Sequence, residues 1–541
     1  MPSNSRNNLV YAAITALVFI SALFKIVDLD FWWHLKTGQI ILQQKAFQYH
    51  EIYSFTAAGR EYIDHEWLFQ VTQFFAYSHF GPAGVILLKC AVFILIYFLL
   101  ANYLLRYPVT PVVAFAILLI SIAGARTRFI ERPEIFTTLF LVCSYLSVDR
   151  FLRTGSYKSL LIIPPMIVLW ANFHAAVILG LVLQGAFIVG SAIDKSEKKK
   201  IVTLVLLLVI SFLLTAVNPY GFRVLKVPFE LTSIIDSGLL HNQEWQHPTP
   251  LHLPFFYLCL FLTWIMIALN FRRIHFTNLL LSAFFSYIAL KYLRNIGIFS
   301  VMMPLLIAPY LSRIAVSNPL LWIAGSLAFA VLSIVTLPYM FGIGVSPYFP
   351  EKIAQFTESK NLRGNMINSY GFGGYLIWRL YPERKIFIDG RNEVYLPLLQ
   401  KLIQMREDNR SWIAFLNEYE IEYALLNYVD TLETVTLLDR SGNKTISLAP
   451  FSSTHFPRAH WALVYWDDTG MILVKRNGLN SDLLPLEYRD VFPEGTSYEE
   501  MLAKEGKLDV HAARTELMRK LKEDPNCTRA KNLLQSLPIY P

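Results

Sequence analysis

The sequence predicts a polytopic α-helical membrane protein of about eleven spans, with an α/β domain outside the membrane and a helical tail after it. Three observations predict this. Hydrophobic residues make up 54% of the 541 residues and charged residues only 16%, with a mean hydropathy of +0.41. A soluble chain carries nearer ~25% charge, so the apolar excess belongs in lipid. Basic residues collect in alternate gaps between the apolar runs. From about residue 342 the runs shorten and charge rises.

A span needs ~20 mostly apolar residues. Candidates lie near 8–27, 83–105, 109–125, 135–149, 159–172, 175–193, 201–217, 253–270, 276–291, 297–312 and 318–341. The fifth is short and holds Pro164 and Pro165, which predicts a kink. The first reads as a retained helix, because no small-x-small cleavage site follows it. With the N-terminus inside, the inner gaps hold Arg106, then Arg150, Arg153 and Lys158, then Lys195 and Lys198 to Lys200, then Arg272 and Arg273, then Arg313. This positive-inside pattern reads the basic run at 195–200 as a topology signal and not a nucleic-acid patch. The net charge of +8 therefore implies no nucleic acid. An odd number of spans places the C-terminal part outside. The expected organisation is a transmembrane module, 1–341, with a long first outer loop at 28–82, then an α/β domain, 342–480, and a helical tail, 481–541. Cys90, Cys143 and Cys259 lie in apolar runs and Cys527 stands apart, so neither a disulfide framework nor a cysteine metal cluster is expected.

The outer gaps hold the unusual residues. The first opens with DLDFWWHLKTG at 28–38 and continues to DHEWLFQV at 64–71, and the second is RTRFIERPE at 126–134. One membrane face thus collects Asp28, Asp30, His34, Asp64, His65, Glu66, Arg126, Arg128, Glu131, Arg132, Glu134, His174, Glu244, Lys291 and Arg294. Ionisable groups beside a bilayer are costly and mark sites. Basic groups would hold a phosphate and carboxylates would move a proton. Blander readings stand beside this one. Trp32, Trp33, Trp67, Trp170 and Trp245 fit an aromatic belt. Asp28 and Asp30 could simply end the first helix, and Arg126, Arg128 and Arg132 could snorkel. His34 reads as a hydrogen-bonded positioning group, since no closed zinc spacing occurs.

The strings DLDFWWHLKTG, YSFT, DHEWLFQV, RFIERPE, WANFH and NPYG, with GFGGYLIWRLYPERKIFIDGRNEVY at 371–395, resemble a bacterial branch of the GT-C membrane glycosyltransferases. The resemblance spans residues 25–395. It implies an enzyme of the bacterial inner membrane that transfers a sugar from a polyprenyl-phosphate donor at the outer face, with inversion by analogy. The family's catalytic aspartate matches Asp30, or Asp28 two residues earlier. We therefore expect Asp30 as general base, with Asp28 and His34 supporting it. Donor phosphate falls to Arg126, Arg128, Arg132, Lys291 and Arg294, and Asp64, His65, Glu66, Glu131, Glu134, His174 and Glu244 support the site. Some members hold a divalent metal with a second acidic motif. Glu131 and Glu134 lie in the corresponding loop without forming Asp-x-Asp, so Mg or Mn held through Asp28, Asp30, Glu131 and Glu134 stays open. The expected partners are the lipid-linked donor, membrane lipid and a glycan, lipid or protein acceptor, with no nucleic acid.

The part after 342 alternates helix and strand. Helices are expected at 350–360, 374–380 and 396–419, and strands at 365–368, 385–389, 422–427, 461–466 and 471–475. Asp389 and Arg391 directly follow a strand, so they either contact acceptor or salt-bridge to the spans. The tail at 497–537 is charged and helical. Two rival functions remain at this stage. A lipid-linked sugar transporter or flippase would want ionisable groups at the midplane. A non-catalytic scaffold with an outer recognition domain needs no paired carboxylates.

Overall fold

The computed structural model describes residues 3–236, 243–313, 325, 340–405, 409–428, 432–438, 444–495 and 508–538. It divides into two compact units. Met1–Tyr49 with Ile63–Ser346 form one, and His50–Tyr62 with Pro347–Pro541 form the other.

The first unit is helical. Its helices are α1 (Ser3–Ala22), α2 (Phe31–Gln44), α3 (Trp67–Leu104), α4 (Pro111–Ala125), α5 (Glu134–Thr154), α6 (Ile163–Phe173), α7 (Ile178–Ile193), α8 (Lys198–Leu214), α9 (Val227–Asp236), α10 (Pro254–Leu269), α11 (Phe276–Lys291) and α12 (Ile296–Ile307). Local chemistry sets several starts. Proline opens α4 and α10, where its missing N–H is no loss. Thr110 also caps α4, its hydroxyl accepting from the Val113 amide at 3.4 Å. α12 is buried on every side, as an all-apolar helix at the centre of a bundle must be. It packs against α4, α10 and α11. α2 lies along the first half of α3, with Gly38 so close that a Cβ would sit 2.2 Å from the Gln70 carbonyl oxygen. α3 joins the end of the expected first outer loop and the expected second span in one element, bent at Gly81 and Pro82.

Five helical segments among the described residues are long and apolar enough to cross a membrane: Trp67–Leu104, Pro111–Arg128, Glu134–Thr154, Ala175–Ile193 and Leu293–Leu311. Four shorter apolar ones are Asn7–Ala22, Tyr157–Phe173, Pro254–Leu269 and Phe276–Lys291. The expectation of eleven full spans is therefore met in part. Turns shorten the rest: Phe276–Lys291 stops where Tyr292 turns extended, and Ile163–Phe173 begins only after a 3-10 turn at Tyr157–Ser159. Apart from residues 325, 340 and 341, the eleventh candidate, 318–341, lies outside the described residues.

The second unit carries a four-stranded sheet in the order β1 (Asn365–Asn368), β2 (Ile421–Asn427), β6 (Gly470–Lys475), β5 (Trp461–Trp466). β1 and β2 are parallel, and the other pairs are antiparallel. β3 (Leu432–Leu438) and β4 (Lys444–Pro450) form a separate hairpin that the sequence reading did not anticipate. Of the helix expected at 396–419, the described parts Asn392–Met405 and Asn409–Glu418 are helical. Residues 385–389 join no sheet: the Asn368 side chain accepts from the Phe387 amide at 2.8 Å and donates to the Ile388 carbonyl at 2.8 Å, replacing a strand partner. In the expected tail, Ala513, Leu517, Cys527, Ala530 and Leu533 share one core with Trp412, Leu463 and Trp466. Ala57 and Tyr62, from the expected first outer loop, belong to that core as well.

Candidate functional site

The site grows from the loop that links α1 to α2. Asp30 sits at the N-cap position of α2 without capping it. Its carboxylate instead accepts from the Trp33 indole N–H at 3.2 Å and from Arg132 Nη2 at 3.0 Å. Arg132, in the turn before α5, also donates to Asp28 from Nε at 2.8 Å and Nη2 at 2.7 Å. Its remaining nitrogen, Nη1, donates to Glu244 Oε2 at 2.6 Å. Glu244 Oε1 accepts from Arg128 Nη1 at 2.7 Å, and Arg128 Nη2 reaches Glu134 Oε2 at 2.8 Å. Arg294 Nε and Nη2 close the chain on Glu134 Oε1 at 2.9 and 2.5 Å. Gly297 makes room for this, because a Cβ there would lie 2.9 Å from Arg128 Cβ. The result is one network of four carboxylates and three arginines.

Its electrostatics single out Asp30. Burial pushes the Asp30 carboxyl up to about 7, with Arg132 opposing and Asp28 reinforcing the rise. Burial alone would lower Arg132, but Asp28, Asp30 and Glu244 hold it well above its usual range. For Glu244 the upward push of burial is outweighed by Arg132 and Arg128, leaving it low. A small, partly open pocket adjoins the network, lined by Phe93, Phe129, Ile135, Ile298 and Val301 beside Arg128, Glu134 and Arg294.

A second cluster centres on Glu66. His34 Nε2, His65 Nε2 and His174 Nε2 lie 3.4, 3.2 and 3.7 Å from its carboxylate. Burial pushes Glu66 up, but His65, His34 and His174 together pull it well below the usual range. The Thr137 hydroxyl accepts from the Trp170 N–H at 2.9 Å, which directs its own proton to His174 Nδ1 at 2.9 Å. His174 Nε2 then carries the hydrogen facing Glu66. Burial lowers His34 and His174 to about 4, so both are neutral at pH 7. Asp64 nearby is raised by burial to about 7 and accepts from Gln70 Nε2 at 2.7 Å.

Several expectations change. His34 contacts Glu66 and not the Asp30 carboxylate, because Trp33 takes the place beside Asp30. Arg128, Arg132 and Arg294 enter the network, whereas Arg126 is half-buried before it and Lys291 pairs with Asp236 at 2.8 Å. Glu131 pairs with Lys89 of α3, both buried. The four carboxylates considered for Mg or Mn do not converge. Asp28 and Asp30 face Arg132, Glu131 faces Lys89, and Glu134 faces Arg128 and Arg294. Acids already neutralised by cations make a poor divalent site, and no group of three or more His, Cys, Asp or Glu among the described residues could hold a metal ion. In the second unit Asp389 and Arg391 are 0% and 2% exposed. Arg391 donates to Asp389 at 2.6 and 2.8 Å and to Glu51 at 2.5 Å, so they form a buried ion pair within this unit and not a salt bridge to the spans. Lys89, Trp33 and Thr137 were missed. For Lys89 the signal was present, a lone lysine in an apolar run.

No family model and no curated protein matches the sequence. Solved structures do match its fold. The archaeal oligosaccharyltransferase AglB from Archaeoglobus fulgidus, in complex with an inhibitory peptide and a dolichol-phosphate, aligns with TM-score 0.58 and 11% identity over 97% of this chain and 83% of that one. The apo form of the Archaeoglobus fulgidus oligosaccharyltransferase gives 0.59 and 11% over 96% and 86%. Its complex with Zn and sulfate gives 0.58 and 11% over 97% and 83%. The chain has the GT-C fold. Within this fold, Asp30 is linked through Arg132 and Glu244 to Arg128, and through Glu134 to Arg294.

Proposed function

We propose that this protein is an integral membrane glycosyltransferase that moves a sugar from a polyprenyl-phosphate donor to an acceptor hydroxyl at the outer face of a bacterial cytoplasmic membrane. The single observation that carries the reading is Asp30, a carboxyl held near pKa 7 and joined through Arg132 to a run of arginines. The donor's phosphate lies against Arg128, Arg132 and Arg294, and its tail leaves past the apolar side chains Phe129, Ile298 and Val301 beside Arg128 and Arg294. The acceptor hydroxyl gives its proton to Asp30. Its oxygen bonds the anomeric carbon as the bond from that carbon to the phosphate oxygen breaks. The phosphate leaves with the electron pair, and the arginines neutralise the charge it gains. One displacement inverts the anomeric centre. Asp28, bonded twice to Arg132, orients that arginine.

The likeness of fold to oligosaccharyltransferases, one of them solved with a dolichol-phosphate, supports a lipid-linked donor. The loop charges support the orientation, with the basic run at 195–200 inside and the sheet unit outside. The test is mass spectrometry of lipids extracted from the purified protein. A co-purified polyprenyl-phosphate sugar is expected. A preparation that carries none, and that binds none when the lipid is added, would rule the reading out.

A further inference from the structure

Glu244 stands apart from the other acids of the network. It spans two arginines, Oε1 accepting from Arg128 Nη1 at 2.7 Å and Oε2 from Arg132 Nη1 at 2.6 Å. Two oxygens shared between two guanidinium groups is also what the non-bridging oxygens of a phosphodiester offer. Glu134 begins a long helix, whereas Glu244 lies on a single 3-10 turn, Gln243–Trp245. Its departure would not release the arginines. Arg128 keeps Glu134 at 2.8 Å, and Arg132 keeps both bonds to Asp28. The subsite would thus stay assembled while its occupant changed.

We propose that Glu244 occupies the donor's phosphate subsite between Arg128 and Arg132 and is exchanged for a phosphodiester of one negative charge, so that the site selects monophosphate-linked over diphosphate-linked donors. The inference rests on the reading of these arginines as phosphate ligands. One carboxylate for one phosphodiester leaves the charge of the network unchanged. A diphosphate diester brings two charges and leaves one uncompensated in a largely buried place, which is costly. Occupancy by Glu244 also lowers apparent donor affinity, because only the open fraction of molecules can bind.

Equilibrium binding to the full-length protein in detergent tests this, with farnesyl methyl phosphate and farnesyl methyl diphosphate as probes. Wild type is expected to prefer the monophosphate by about tenfold, a step of 1.4 kcal/mol. Glu244→Gln keeps the shape but loses the charge. It should bind both probes about 5–10-fold more tightly, because both displace the same group, and the preference should stay. Should that variant fold poorly, Glu244→Asp is too short to span both arginines and is expected to bind the monophosphate more tightly than wild type. Unchanged or weaker binding in whichever variant folds overturns the exchange. If Arg128→Gln and Arg132→Gln lose binding in that case, the arginines remain the phosphate ligands and only the role of Glu244 falls. If wild type binds neither probe, the donor reading falls and the exchange with it.

Discussion

Arg132 grips Asp28 through two parallel hydrogen bonds, 2.8 and 2.7 Å, and touches Asp30 through one at 3.0 Å. The side chain of Asp28 is 3% exposed and that of Asp30 is 23% exposed. Two neighbouring carboxylates therefore have different tasks. Asp28 fixes the arginine, and Asp30, in the proposed mechanism, keeps an oxygen within reach of an incoming proton.

Asp28→Asn should destabilise the protein more than Asp30→Asn does. Breaking a buried charge pair from one side costs about 3–5 kcal/mol, whereas Asp30 already resists ionisation where it lies. Thermal denaturation in detergent compares the two, and equal losses would contradict the division of roles.

The transfer rate should rise with pH through about 7, because only ionised Asp30 accepts a proton. Below that point it should fall by about tenfold per pH unit, as expected for one essential base. Asp28 helps raise Asp30, so Asp28→Asn should move the rising limb to lower pH. A flat rate profile between pH 5 and 8 would count against Asp30 as the base.

The five basic residues on the outer loops should divide in donor binding. Arg128→Ala and Arg294→Ala should each lose about 1.5–3 kcal/mol, the range for a hydrogen bond to a charged group. Arg126→Ala and Lys291→Ala should stay close to wild type, since Lys291 pairs with exposed Asp236 instead. Titration with a short-chain polyprenyl-phosphate sugar measures this. Equal losses at Lys291 and Arg294 would place the phosphate elsewhere.

Lys89→Met should destabilise by about 3–5 kcal/mol, because Glu131 is then left buried and charged without a partner. The double variant with Glu131→Leu should recover much of that loss. No recovery would mean that Lys89 acts mainly through the Phe24 carbonyl it also reaches, at 3.3 Å.

Run length and apolar content made most helices of the first unit legible, because each buries a stripe or a whole surface. The face that gathers Asp28, Asp30, Arg128, Arg132, Glu134, Glu244 and Arg294 was legible too, since charges avoid spans and so collect at their ends. Pairing was not. Arg132 meets Asp28 across 104 positions and Glu244 across 112, and no local pattern encodes such distances. The same limit hid the place of His50–Tyr62, whose Ser54 bridges to Ile386 inside the second unit. The sequence reading left Asp389 and Arg391 open between acceptor contact and a salt bridge to the spans. Arg391 instead pairs with Asp389 and with buried Glu51, a residue 340 positions away in the same unit.

Turnover of a synthetic polyprenyl-phosphate sugar by Asp30→Asn, with donor binding measured on the same preparation, tests the central claim most directly. Asparagine keeps the size of the side chain but cannot take the proton. The account predicts a rate loss of about 10²–10⁴-fold, the usual worth of a general base, with donor affinity within about twofold of wild type, as for an uncharged change of equal size away from the phosphate. Near-normal turnover by Asp30→Asn with intact donor binding would contradict it.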